Sequence, residues 1–434
     1  MSKNFKSLSW SVSPLARGLG LVAGIATATF PGTALADDHA VCSEPVRILA
    51  QPRDGLSLLE EYEAEFEEIA GAGFEIDYLN EGDRRVRSQA DASTVGRYDV
   101  YYVDEANLAL FASSGWLVPL MDHYPEEYDY DDFDPGRIAT ATYDDTIWFA
   151  PILGGGDLMV YRKDLLEEAG IEPPETLEEL RAAVEALHDP ENGIYGIGLR
   201  GQRGSGANVW RWMPYFKGFG GEWFADGEPA MNSEAAVRAT ETYLDLFQYS
   251  APGTQTGSWD ESTGAFRAGQ IALIIESAPL GGIALDASQS QVADVIGFAP
   301  PPSPLTGGGF AHGFAIGSRA NPDEASRDCA GLWIAWATSQ ENEQRRLEAG
   351  QAGELNRLSV IGSPLFAETF GEELPAALAA TAEVTAVNFW QDARWPELGN
   401  QWGILLEELI TGSRDDVEGA LIDLEEFAAD LVEE

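Results

Sequence analysis

The chain has 434 residues, 44% of them hydrophobic, so it can bury large cores and is not a disordered segment. It carries 73 acidic against 26 basic residues, a formal charge of −47, and that field disfavours nucleic acid, anionic lipid surfaces and polyanionic substrates. Its four histidines are not paired at ligand spacing, and no Gly-x-Ser-x-Gly, Walker loop or His-Glu-x-x-His occurs, so neither a metal nor a cofactor is expected.

Lys3, Lys6 and Arg17 precede an apolar segment over residues 19–30, and Ala34-Leu35-Ala36 closes it before Asp37. This is the pattern of a cleaved secretory signal over 1–36, too short to span a bilayer. Cys42 follows Ala40-Val41, which is not the setting of a lipid-modified cysteine, so a soluble exported chain without a lipid anchor is expected. After cleavage 23 basic residues face 73 acidic ones, and Lys163 and Lys217 are the only lysines. A salt-adapted, halophilic acidic surface fits this balance better than a cation-binding one. An exported compartment permits Cys42 and Cys329 to pair, and whether they meet depends on the fold.

In chain order, residues 46–50 read as a strand, and Leu58, Leu59, Tyr62, Phe66 and Ile69 mark the inner face of the helix that follows. Phe74, Ile76 and Tyr78 alternate as a second strand. Residues 81–91 read as exposed and charged, and 98–103 as a strand covered on both sides. Strand and helix in alternation predict an open, mostly parallel sheet. In such sheets ligands gather outside the carboxyl ends of the strands, which nominates Gln51 to Asp54, Asn80 to Asp83 (with Glu81) and Asp104 to Asn107. The Asp129, Asp131, Asp132 and Asp134 cluster lacks the glycine and terminal Glu of a calcium loop and reads as surface.

The stretch 147–187 ends an apolar run at Pro151, turns through Gly154, Gly155 and Gly156, and continues into a helix opened by the capping pair Thr176 and Glu179. Aromatics then crowd: of the eleven tryptophans beyond the leader, Trp210, Trp212, Trp223, Trp259, Trp390, Trp395 and Trp402 lie within 205–262 or 388–402. Flat rings with a polar edge suit sugars and polyols, so at least two are expected in a site. Glu276 ends the apolar strand 271–275, either buried with a partner or facing a cavity. Residues 297–309, rich in Pro and Gly, read as a connector, and from Gln340 onward the pattern is helical.

Several of these segments together resemble the extracellular solute-binding proteins of ABC importers, the group that includes maltose- and sugar-alcohol-binding proteins. The residues that carry the resemblance are Pro151, Tyr161, Lys163-Asp164-Leu165, Ala169-Gly170, Pro174 and Thr176, with Trp116 to Leu120, Tyr195-Gly196-Ile197, Ala265 to Gly269, Gly308-Gly309-Phe310 and Trp336 to Ser339 in the right order. Arg162 stands where the pattern has Asn. Gly155 lies near the place of a maltose-type acidic residue, which points toward a monosaccharide, polyol or small glycoside.

The resemblance implies a two-lobed α/β periplasmic-binding-protein fold with a ligand cleft between lobes, 41–150 plus 298–350 forming one and 151–297 plus 351–434 the other. It implies a periplasmic, monomeric receptor that closes on a neutral solute and hands it to a membrane permease, with no enzymatic activity. The cleft set it implies is Gln51, Asp54, Glu81, Asp104, Gly155, Asp157, Trp210, Trp212, Tyr215, Trp259, Glu276, Gly309, Phe310, Trp390 and Arg394. Both Cys42 and Cys329 fall in the first lobe, which implies a disulfide. Two alternatives are a quaternary ammonium solute caged by the tryptophans and an exported glycoside hydrolase built on Asp104 or Glu276.

Overall fold

The computed structural model describes residues 42–204, 206–351 and 355–433, apart from the Asp54 side chain. The leader 1–36 therefore lies outside the described residues, as does any role of the Asp54 carboxylate. No helix among the described residues is long and apolar enough to cross a membrane.

Two sheets carry the architecture. In the first, Val46–Ala50 pairs in parallel with Phe74–Tyr78 and with Val100–Asp104, whose five residues are all buried. Phe310–Gly317 runs antiparallel to Val100–Asp104 and takes Leu117–Val118 and Phe149–Gly155 as further neighbours. The second sheet orders Ile296–Ala299, Asp157–Arg162, Ile271–Ser277 and Tyr195–Gly198, with only the last two strands parallel. The two-lobed α/β class is as expected, but the sheets are mixed rather than mostly parallel. Strands that end at the lobe boundary after a helix crossover are parallel. A strand that starts at the boundary, such as Asp157–Arg162 or Phe310–Gly317, must run the opposite way.

One further expectation is refined and two are corrected. Residues 81–91 are largely exposed, as read, but they are helical and bury one face. They belong to the helix Glu81–Ser93, capped by Asn80 and burying Arg84, Ser88, Asp91 and Ala92. Ile69 is 47% exposed, because the helix predicted there breaks into Asp54–Glu60 and Glu63–Ala70, and the second piece turns Phe66 and Ala70 inward. The connector 297–309 contains strand at both ends: Ile296–Ala299 joins the second sheet, and Gly307–Gly308 pairs with Thr385–Ala386.

That last pairing ties the chain segments passing between the sheets to one another. Asp157 accepts from the Gly308 amide at 3.2 Å, Gly309 donates to the Ala386 carbonyl at 2.8 Å, and Thr306 donates to the Asn388 side chain at 3.0 Å. A Cβ on Gly156 would run into Thr381 and Thr385. Gly155 has φ 139°, a backbone state that glycine alone adopts at low cost, and its Cβ would crowd that of Ala278.

Two groups of aromatic rings pack within one continuous hydrophobic core. Trp333 and Trp336 of helix Glu324–Ala337 pack on Phe66, Phe74 and Phe314. The same helix holds Cys329, bonded to Cys42 with their Cα atoms 5.2 Å apart. In the second lobe Trp212 packs on Phe216, Trp223 and Trp402, and Trp223 on Trp395.

Candidate functional site

The carboxyl ends of the parallel strands bring together one polar cluster per lobe, as the open-sheet rule requires. In the first, Asp104 ends its strand almost fully buried and takes Arg84 at 2.6 Å and Arg85 at 2.5 Å. Arg84 also donates to Gln51 at 3.2 Å and to the Tyr102 carbonyl at 2.7 Å. Burial would raise the Asp104 pKa, but the two guanidinium groups hold it well below the ordinary carboxylate value. Glu81 closes the cluster from outside through Arg85, at 2.7 Å.

His312 faces Asp104 across the antiparallel pair. Its Nδ1 lies 2.9 Å from the Tyr102 hydroxyl, and burial lowers its pKa to about 4, so the ring is neutral at ordinary pH. Next to Asp104 stands Glu105, 4% exposed, whose pKa burial and the Asp104 charge raise well above the ordinary value.

In the second lobe Glu276 is held by Arg200 through two contacts of 2.6 and 2.7 Å, and Arg211 reaches it at 3.4 Å. Arg211 also binds Asp157 at 2.9 Å. Burial opposes ionisation of Glu276, yet Arg200 and Arg211 bring its pKa below the ordinary value. The Asp157 pKa is raised by burial, only partly offset by Arg211. The Arg200 guanidinium lies 5.3 Å from the Trp259 ring centre.

The clusters meet at Gly206. Its carbonyl accepts from Arg200 at 3.2 Å, while a Cβ there would press on the Arg85 guanidinium of the first lobe. A second meeting point is a narrow gap between Glu105, Thr140 and Tyr143 on one side and Phe389, Trp390 and Asp392 on the other. A larger groove of about 730 Å³ lies elsewhere, at the amino ends of the first-lobe strands beside Ser43, Asp99 and Cys329. It lacks the paired clusters and sits on the wrong sheet edge for a ligand of this fold.

The predicted residues divide sharply. Gln51, Glu81 and Asp104 join the first cluster and Trp259 and Glu276 the second, Glu276 being both buried and partnered. Trp212 does not belong to a cleft: it is fully buried and its indole nitrogen donates to Thr240 at 3.1 Å. Tyr215 is likewise buried, against Tyr243. Trp210 is buried and stacks on Phe389. Asp157, with no exposed surface, is a brace between Arg211 and Gly308 rather than a ligand contact.

Gly155 is small because Ala278 approaches it, and Gly309 because Thr385 and Ala386 do. Phe310 is buried beside His312, and Arg394 is tied to Asp392 at 2.7 and 2.8 Å while covering Trp390. Asp132 and Asp134 serve Ser359 and the helix Pro135–Thr140, which is what loop carboxylates do.

Sequence reasoning missed Arg84, Arg85, Arg200, Arg211 and His312, while Glu105 fell within the nominated stretch Asp104 to Asn107 without being singled out. Arg84, Ser88 and Asp91 keep a helical period, the available signal, but polar residues at that period look like a solvated face. Arg200 lies two residues beyond the strand Tyr195–Gly198, so the strand-end rule extended to it would have found it.

Residues 50–344 match the family described as bacterial extracellular solute-binding protein. The chain belongs to that family. A mannitol-binding protein of Pseudomonas aeruginosa is 31% identical to this solute-binding protein over 269 residues, 60% of this chain and 61% of that one, so the match spans about three fifths of the relative's length. The structure of an ABC transporter solute-binding protein from Agrobacterium radiobacter in complex with ribitol superposes with a TM-score of 0.81, at 25% identity, over 91% of this chain and all of the other. One from Agrobacterium vitis with bound D-mannitol gives 0.79 at 22% identity, over 90% and 99%.

Proposed function

We propose that this protein is the exported receptor of an ABC importer, capturing a neutral polyol or small sugar between its lobes and delivering it to a membrane permease. The observation that carries the reading is the pair of arginine-clamped carboxylates, Asp104 and Glu276, set at the strand ends and meeting across Gly206. Hydroxyl groups both donate and accept, and fixed carboxylate–guanidinium pairs offer both functions without a net charge to attract an ion. The names of the relatives, mannitol-binding and ribitol-bound, favour polyols. Trp259 and Trp390 offer ring faces beside the polar groups. Each carries an arginine, Arg200 and Arg394, which disfavours a quaternary ammonium solute because that slot already holds a cation.

The lobes we assign are 41–150 plus 298–350 and 151–297 plus 351–434, closing by bending of the segments around Gly155, Gly308 and Ala386. A monomer released by cleavage after Ala36 and adapted to salt completes the proposal, and its unfolding temperature should rise with added salt. Calorimetric titration with D-mannitol, ribitol, maltose and glycine betaine tests the solute. Binding of a polyol with little response to betaine is expected, and heat from betaine alone would overturn the reading.

A further inference from the structure

We propose that Glu105 is a specificity residue of this cleft, offering its carboxyl to a hydroxyl of an uncharged polyol. The inference rests on the polyol reading and deepens it. Glu105 opens the helix Glu105–Ser113 and follows Asp104 directly, so two carboxyl groups stand side by side. Asp104 takes Arg84 and Arg85, and Asn107 approaches it at 3.5 Å. Glu105 Oε2, buried, has no hydrogen-bond partner. A polar atom so placed is destabilising unless something satisfies it.

His312 Nε2 lies 3.7 Å from Glu105 Oε2 and 3.6 Å from Asp104 Oδ1, beyond hydrogen-bond range of both. The other ring nitrogen is already used by Tyr102. One hydroxyl between Oε2 and Nε2 would satisfy two groups at once. Glu105 also lines the gap opposite Trp390, whose ring can cover the C–H face of the same ligand.

The protonation of Glu105 follows from its neighbours. Burial and the ionised Asp104 favour the neutral acid; Arg85 and the backbone amides of Glu105 and Ala311 oppose this only in part. Other charged or titratable groups around it are Arg84, neutral His312, Tyr143, and Asp392, which Arg394 neutralises. The helix Trp395–Ile410, packed against it, carries exposed Glu397 and half-buried Glu407 and Glu408, Glu407 being paired with Arg203. As a neutral acid Glu105 can donate as well as accept, which an ionised carboxylate cannot. Its pKa is raised in the folded chain, so the stabilising, ligand-competent form exists at low pH and is lost as pH rises through the folded value.

Titration of the full chain with D-mannitol and with ribitol between about pH 5 and about pH 9 tests this. The wild type should lose roughly tenfold or more in affinity as pH rises. Glu105→Gln, which keeps a donor and an acceptor but cannot ionise, should show a flat profile. Equal slopes in the two proteins, or a flat wild-type profile, would overturn the assignment, and the wild-type profile decides even if the variant does not fold. If the wild type binds neither polyol at any pH, the polyol reading itself falls and this inference with it.

Discussion

The two lobes build their polar clusters from the same parts and use them differently. In the second, Asp157 and Glu276 share Arg200 and Arg211, two anions against two cations, and everything is buried. In the first, Asp104 takes both arginines for itself and Glu105 is left without one. A balanced cluster fixes geometry, and an unbalanced one leaves a polar group available to a ligand. Both clusters set carboxylate–guanidinium pairs at the strand ends, and the first adds a buried carboxyl oxygen that has no partner.

The contrast breaks most visibly at Arg211. Arg211→Leu should leave Asp157 and Glu276 buried with a single cation between them, destabilising the chain by about 3–5 kcal/mol in denaturant unfolding. Removal of Arg85, which is about one third exposed, should cost far less stability and appear mainly in binding. Comparable losses from the two substitutions would erase the distinction drawn between the clusters.

The tryptophans provide a second separation. Trp212→Ala removes a fully buried ring packed on three aromatics and should cost about 3–5 kcal/mol of stability. Trp390→Ala should instead weaken polyol binding several-fold with a smaller loss of stability. If Trp390→Ala binds polyol like the wild type, the gap beside Glu105 is not a ligand surface.

At the crossing, Gly155→Val places a branched side chain at φ 139° against Ala278 and should cost about 1–3 kcal/mol. We expect this loss with both clusters intact, so that titration would find weaker binding through impaired closure. Unaltered affinity would place the bend elsewhere.

The smallest effect is that of acid. Asp104 and Glu276 have folded pKa values below the ordinary ones, so their contribution is present above the unfolded value and is lost as pH falls through the folded value. Asp104 lies further down, and the first lobe's cluster should therefore survive to lower pH than the second's. Asp104→Asn should flatten the acid limb of the unfolding curve more than Glu276→Gln does.

What the sequence determined is the set of local structures and their order. Alternating strands and helices, the Thr176–Glu179 capping box and the Gly-rich crossing all rest on interactions a few residues apart, and they appear as read. Gln51, Asp104 and Glu276 were legible because each lies at or beside a strand's carboxyl end, a position that local pattern reveals. Strand direction in the second sheet, the fates of Trp212 and Trp259, and the partners of Arg84 and Arg211 were decided only in three dimensions. Arg84 meets Asp104 from another helix, and Arg211 meets Asp157 across 54 positions of sequence. Whether an arginine among acidic residues is a solvated surface charge or one half of a buried pair depends on which element the fold lays against it, and no local period carries that information.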